Sequence, residues 1–183
     1  MFVSFSKKIC LGLIKETGKL AVKPAKTLIE TTVKLNTKEG TPLHDISMYQ
    51  RLVVKLIYLE ITRPNITFVV NNVSQFMHAP RTSHISAIYR ILHYLKATPR
   101  VGIWMKQNNR IYVIGYTDTN WAGNFDIKST TGFCTFIGGN LVTWRSKKQN
   151  IVSRSSAEAK YRAMAATTGE LIWIKYILKD LGV

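Results

Sequence analysis

From residue 45 onward the apolar positions fall into clear periods. Tyr49, Leu52, Val53, Leu56, Ile57 and Leu59 recur at helical spacing, which predicts a helix over 48–61 with Asp45 or Ser47 as its N-cap. A second helix is predicted over 64–77. Pro64 suits a first helical position, Ile66, Val69, Val70, Val73, Phe76 and Met77 make its apolar stripe, and Pro80 follows as a stop. A third is predicted over 84–97, capped by Ser83 or Thr82, with Ile85, Ile88, Leu92 and Leu95 turned inward. Three helices on short connections imply a small bundle.

After Pro99 the period shortens towards two. Val101, Ile103 and Met105 alternate, a polar turn follows at 107–110, and Ile111 to Thr117, Thr131 to Ile137 and Leu141 to Trp144 read as strands. Gly138-Gly139-Asn140 joins the last two as a tight hairpin, so the sheet is antiparallel. Residues 155–181 return to helical spacing behind the capping box Ser155 to Glu158. Tyr161, Met164, Ala165, Thr168, Leu171, Ile172 and Leu178 form the expected apolar face, and Gly182 ends the helix. Residues 1–44, broken by Gly18, Pro24, Gly40 and Pro42, read as a loosely structured leader. Helices, then strands, then one long helix define an α+β chain.

Composition narrows the partner. With 46% hydrophobic residues the chain can pack a core, and 26 Lys plus Arg against 10 Asp plus Glu give a net charge of +16, which favours a polyanion such as nucleic acid over a neutral small substrate. The apolar runs are too short for a membrane span. The run Ile9 to Ile14 is ended by Lys15 and Glu16 before it makes a secretion signal. Cys10 and Cys134 lack metal-ligand spacing and read as small buried hydrophobes of a reducing, intracellular compartment, cytoplasmic or nuclear. The histidines His44, His78, His84 and His93 read as surface or cap-adjacent groups.

Two candidate sites remain. Asp118 ends a hydrophobic strand, where a carboxylate can hold Mg²⁺ and where an Asp also serves simply to start a turn. Arg145, Lys147, Lys148 and Arg154, with Trp144 beside them, suit contact with a phosphate backbone and stacking on a base. Trp144 packed into the sheet is the equal alternative.

The words around these residues carry a resemblance. Tyr116-Thr117-Asp118-Thr119-Asn120-Trp121-Ala122-Gly123, Lys128 to Phe133, Trp144 to Gln149 and Ser155 to Ala163 stand in the order of the ribonuclease H region of copia-type retrotransposon Pol polyproteins. Tyr49 to Val53, Leu56 to Leu59, Thr62-Arg63-Pro64, Ser74 to His78 and Tyr94-Leu95-Lys96 resemble the segment joining reverse transcriptase to ribonuclease H in the same polyprotein. The resemblance implies an end of the reverse transcriptase region at 1–44, a helical connection segment at 45–100 and an incomplete ribonuclease-H-like domain at 101–183.

It further implies two-Mg²⁺ hydrolysis of the RNA strand of an RNA–DNA hybrid, through clustered carboxylates. Carried over position by position, the first of these falls on Asp118. Asn120 replaces a second Asp of the same word, and Lys160 stands where the helix Glu aligns, Glu158 being the alternative alignment. The last Asp belongs to a later strand with no counterpart before Val183. The expectation is therefore a Pol fragment that binds no Mg²⁺ productively and at most binds hybrid or duplex without sequence preference. The remainder of a Pol polyprotein would be its covalent partner. An active hybrid ribonuclease and a basic helical nucleic-acid-binding module are the rival readings.

Overall fold

The computed structural model describes residues 2–29, 35–107, 111–123 and 127–183. The chain divides into two compact units, Met1–Ile103 and Trp104–Val183.

The first unit is helical: α1 (Phe2–Glu16), α2 (Ile46–Glu60), a short 3₁₀ turn (Pro64–Ile66), α3 (Thr67–Ser74) and α4 (Thr82–Ala97). The periodic residues of α2 to α4 meet in one core that includes Tyr49, Leu52, Leu56, Val70, Ile88 and Leu95. Asp45 caps α2 by accepting from the Met48 N–H at 2.8 Å. The expected second helix is shorter than 64–77. Its start winds as 3₁₀, and its end comes at Ser74, where the Ser74 hydroxyl and the Gln75 amide both turn back onto the Asn71 carbonyl, a local competition that ends helices. Neither Ser83 nor Thr82 caps α4. Its N-cap is Arg81, whose backbone N–H donates to Nδ1 of His84 at 3.0 Å.

The leader holds more structure than its breakers predicted. Its first residues form α1, which buries Cys10, Leu13 and Ile14; Gly18 (φ +66°) turns the chain only after that helix. Glu16 then pairs with Arg51 at 3.3 Å and with Lys55, both on α2. Residues 35–43 are fixed to the start of α4. Thr82 donates its N–H to the Thr41 carbonyl at 2.9 Å, and Nε2 of His84 meets the Asn36 carbonyl at 2.9 Å while its ring stacks on Phe76. His84 is thus a buried brace, and burial pushes its pKa down.

Two ionisable groups at the end of α2 are withdrawn from solvent, Arg63 wholly and Glu60 by half. Arg63 is fully buried and donates to the Thr98 carbonyl (2.7 Å), to Thr98 Oγ1 (2.8 Å) and to Asn65 Oδ1 (3.3 Å), tying the end of α2 to the end of α4. Glu60 is held by no ion pair among the described residues, and burial pushes its carboxyl up to about 7. A raised carboxyl pKa stabilises the fold below its unfolded value near 4.5, a contribution lost as pH rises through 7. Glu60→Gln is expected to raise the unfolding free energy by about 1 kcal/mol at pH 8 and to change it little at pH 4.5. Urea titrations at the two pH values check this.

The second unit is a three-stranded antiparallel meander, β1 (Val113–Asn120), β2 (Thr130–Ile137) and β3 (Asn140–Lys148), followed by α5 (Ser156–Asp180). The Gly138-Gly139 turn has positive φ at both residues, 56° and 82°, the backbone that a two-residue hairpin demands. No strand forms at 101–105. Just past that segment, within the second unit, Asn140 of the hairpin accepts from the Lys106 N–H at 2.7 Å and donates to the Lys106 carbonyl at 2.8 Å. Asn108, Asn109 and Arg110 of the expected turn lie outside the described residues.

Helix α5 packs on β1 and β2, but with an unexpected face. The buried residues are Ala159, Ala163, Thr167 and Ile174, while Tyr161, Met164 and Ile172 of the expected apolar face are 71, 51 and 48% exposed. The reason lies in the sheet: Gly115 presents no side chain beneath Thr167 and Leu171, so the helix comes close with its small residues. Leu171 and Leu178 are half-buried at the border of that contact.

Candidate nucleic-acid interface

The register sorts the candidate residues of the strands onto one side of the sheet or the other. Gly115, paired with Thr135 and through it with Thr143, lies under α5. Alternation then puts Thr117, Phe133 and Arg145, and Thr119, Thr131 and Lys147, on that same side. Tyr116, Cys134 and Trp144, with Asp118, Gly132 and Ser146, occupy the side that α5 does not cover. The Tyr116 and Phe136 rings meet edge to face at 5.8 Å there. A bulge between Thr135 and Phe136 resets the alternation along β3.

The basic set expected from the sequence is therefore divided. Arg145 and Lys147 are exposed on the α5 side, whereas Trp144 is half-buried on the opposite side, against Cys134. Arg145 and Lys147 line a cleft between β3 and α5, with Phe133 in its floor, Lys148 to Ile151 at its end and Arg162 and Ala166 from the helix. Arg162 was not singled out from the sequence; its spacing from Glu158 reads as a simple helix ion pair, and its Nη2 does meet Glu158 Oε1 at 2.8 Å. Arg154 is exposed and is not among the cleft residues, and its backbone N–H is taken by Glu158 Oε2 at 2.8 Å.

These contacts identify Glu158 as a cap. The Ser155 hydroxyl accepts from the Glu158 N–H at 3.1 Å. The Arg154 N–H, and after it the Arg162 guanidinium, hold the Glu158 carboxyl below its usual range. Gln149 fixes this helix start on the sheet, its amide donating to Thr131 Oγ1 (3.0 Å) and to the Ala159 carbonyl (3.1 Å).

Asp118 is exposed at the end of β1, where its Oδ1 accepts from the Thr119 N–H at 2.8 Å. Its side chain belongs to the sheet face away from the first turn of α5, and Lys160 is exposed on that turn. No group of three metal-ligating side chains converges among the described residues; Asp126 lies outside them. A site for two Mg²⁺ needs several converging carboxylates. One carboxylate, with an amide at Asn120 and an ammonium at Lys160, does not fit that demand.

A helical unit and a unit built on a three-stranded meander, the latter with a cleft lined by Arg145, Lys147 and Arg162, define an α+β protein. Over 178 residues it is 41% identical to the retrovirus-related Pol polyprotein from transposon RE1 of Arabidopsis thaliana, covering 97% of this chain and 12% of that protein. Over 183 residues it is 32% identical to the Pol polyprotein from transposon TNT 1-94 of Nicotiana tabacum, covering 99% of this chain and again 12% of the relative. An uncharacterized mitochondrial protein of Arabidopsis thaliana is 40% identical over 163 residues, 88% of this chain and 67% of that protein. No family model matches, and no solved structure matches. The chain belongs to the retrovirus-related Pol polyproteins of copia-type transposons, and it spans about an eighth of the length of the polyproteins it matches.

Proposed function

We propose that this chain is the reverse transcriptase connection and a partial ribonuclease-H-like unit of such a polyprotein, and that it binds nucleic acid duplexes, RNA–DNA hybrid included, without cleaving them. The cleft carries this reading: Arg145, Lys147 and Arg162 stand around an aromatic floor, an arrangement that attracts phosphate without reading bases. The donor set around Asp118 supports the absence of cleavage. The partners are the duplex and, in the family, the rest of the polyprotein. The compartment is intracellular, and no helix among the described residues is long and apolar enough to cross a membrane.

Binding is tested by fluorescence anisotropy on labelled hybrid across a salt series. The double variant Arg145→Ala/Lys147→Ala is expected to bind about tenfold more weakly at ~0.1 M salt, and its log-affinity against log-salt line to be shallower by about 2, near 0.9 for each lost phosphate contact. Unchanged affinity and slope would move the interaction to the helical unit. That is the second reading, favoured by the complete core that the helical unit buries on its own. Incubation with Mg²⁺ or Mn²⁺ is expected to leave a labelled hybrid intact. Metal-dependent cleavage lost in Asp118→Asn would instead establish an active ribonuclease.

A further inference from the structure

Helix α5 has a second apolar stripe that no described residue of its own unit covers. At 100° per residue, Tyr161, Ala165, Thr168, Ile172 and Tyr176 fall within about 80° of one another. They lie diametrically opposite the sheet-facing line of Ala159, Ala163, Thr167 and Ile174. All five are exposed, the three large ones by 71% (Tyr161), 48% (Ile172) and 62% (Tyr176). Their spacing of four, three, four and four residues is close to that of a helix-pairing seam.

We infer that this stripe is a self-association surface, and that its occupant is α5 of a second copy, lying antiparallel. The argument is the order of the side chains. About a two-fold axis between Thr168 and Gly169, Tyr161 meets Tyr176 of the second copy, Ala165 meets Ile172, and Thr168 meets Gly169. Small residues therefore cross at the centre, where the backbones are closest, and a large side chain faces a small one in the next layer. A hypothetical Cβ on Gly169 would meet nothing within 4 Å, so that central space is open in the single chain. At the ends Glu158 lies across from Lys179, so the outer layers carry opposite charges. A parallel pairing would stack each tyrosine on its own copy and lose this match. An isologous pair of this kind closes on itself and does not extend into fibres.

The area is enough for a weak dimer. Three large side chains exposed by roughly half to two-thirds, with Ala165, Thr168 and the stems of neighbouring residues, offer roughly 500–600 Å² per copy. A pair then buries about 1,000–1,200 Å², the lower edge of specific interfaces. Dissociation in the range of tens of micromolar is expected from such a seam.

Sedimentation equilibrium of the full chain between about 1 and 200 μM is expected to show a monomer–dimer equilibrium that Ile172→Glu shifts to monomer, with an unchanged circular dichroism spectrum. Register is read by cysteine cross-linking in a Cys134→Ala background. Ala165→Cys/Ile172→Cys is expected to oxidise to a covalent dimer, and so is a mixture of the two single variants. Each single variant alone should not, because like positions are about 10 Å apart along the axis at 1.5 Å per residue. A monomer throughout the concentration range overturns the proposal. So do higher oligomers, or single cysteines that cross-link as readily as the pair.

Discussion

Arg63→Ala is expected to lower the stability of the helical unit by about 3–5 kcal/mol, the range for emptying a large buried side chain and stripping its acceptors of their donor. The guanidinium makes three hydrogen bonds, two of them to Thr98. It spans the gap between the turn after α2 and the last turn of α4. Its loss leaves the Thr98 carbonyl without that donor and opens a void the size of the longest buried side chain in the unit. Burial lowers the Arg63 pKa from its usual value, yet an arginine keeps its charge in any accessible pH range. Arg63→Lys is expected to recover only part of the loss, since one ammonium cannot reach both Thr98 atoms in the fork geometry. Far-ultraviolet circular dichroism during urea unfolding measures the effect. Tryptophan fluorescence supplies an internal control, because all four tryptophans, Trp104, Trp121, Trp144 and Trp173, lie in the second unit. A fluorescence transition that moves as far as the helical one would mean that the effect is not confined to the helical unit.

Gly115→Val is expected to destabilise the second unit by about 2–3 kcal/mol through overpacking. A Cβ there would stand 3.1 Å from Leu171 Cδ1 and 3.1 Å from Thr167 Cγ2, and valine adds two further carbons towards the same helix. The position is a strand residue with ordinary backbone angles, so valine's own preference for strands opposes the effect only weakly. The helix must lift from β1, and that unit has little else to hold it: beneath α5 the buried side chains include Thr131, Thr135 and Thr167 as well as Ala159, Ala163 and Ile174. With so thin an apolar layer, 2–3 kcal/mol is a large share of the total stability. The tryptophan transition should shift to lower denaturant while the helical signal of the first unit stays in place. An unmoved tryptophan transition would show that α5 is not seated on Gly115 in solution.

The parts of this fold that could be read from the chain are those where one period dominates. Tyr49 to Leu59 and Ile85 to Leu95 mark helices because their buried positions recur at helical spacing, although Val54, Ile57 and Tyr58 of α2 stay exposed, and Gly138-Gly139 marks a hairpin because few other pairs adopt its backbone. Helix α1 was hidden by the weakness of its own stripe: Leu11 is exposed beside buried Cys10 and Leu13, and breakers crowd the residues that follow. The buried face of α5 is illegible in the sequence for a different reason. Large apolar residues outweigh Ala159 and Ala163 in any pattern, yet the absence of a side chain at Gly115 selects the small ones for the sheet. Glu158 was legible as a cap from its place three residues after Ser155.

The candidate interface was legible only as a cluster. Which of Trp144, Arg145, Lys147 and Lys148 act together depends on where β3 bulges, and the one-residue irregularity at Thr135/Phe136 has no signature in composition. Arg162 enters the cleft from a helix that begins after the whole cluster, so its contribution depends on how α5 is laid across the sheet.

The meander has a kinetic consequence. Each strand pairs only with its neighbour in sequence, and the helix that covers them comes last. Such local topology folds quickly, and the β2–β3 hairpin, closed by two glycines, can form on the microsecond scale. During synthesis the sheet would therefore be complete before α5 has left the ribosome, and its Thr-rich side would wait bare until the helix arrives. Docking of α5, not strand pairing, is then the step on which the folding rate of this unit depends, and stopped-flow tryptophan kinetics should report it as the slower phase.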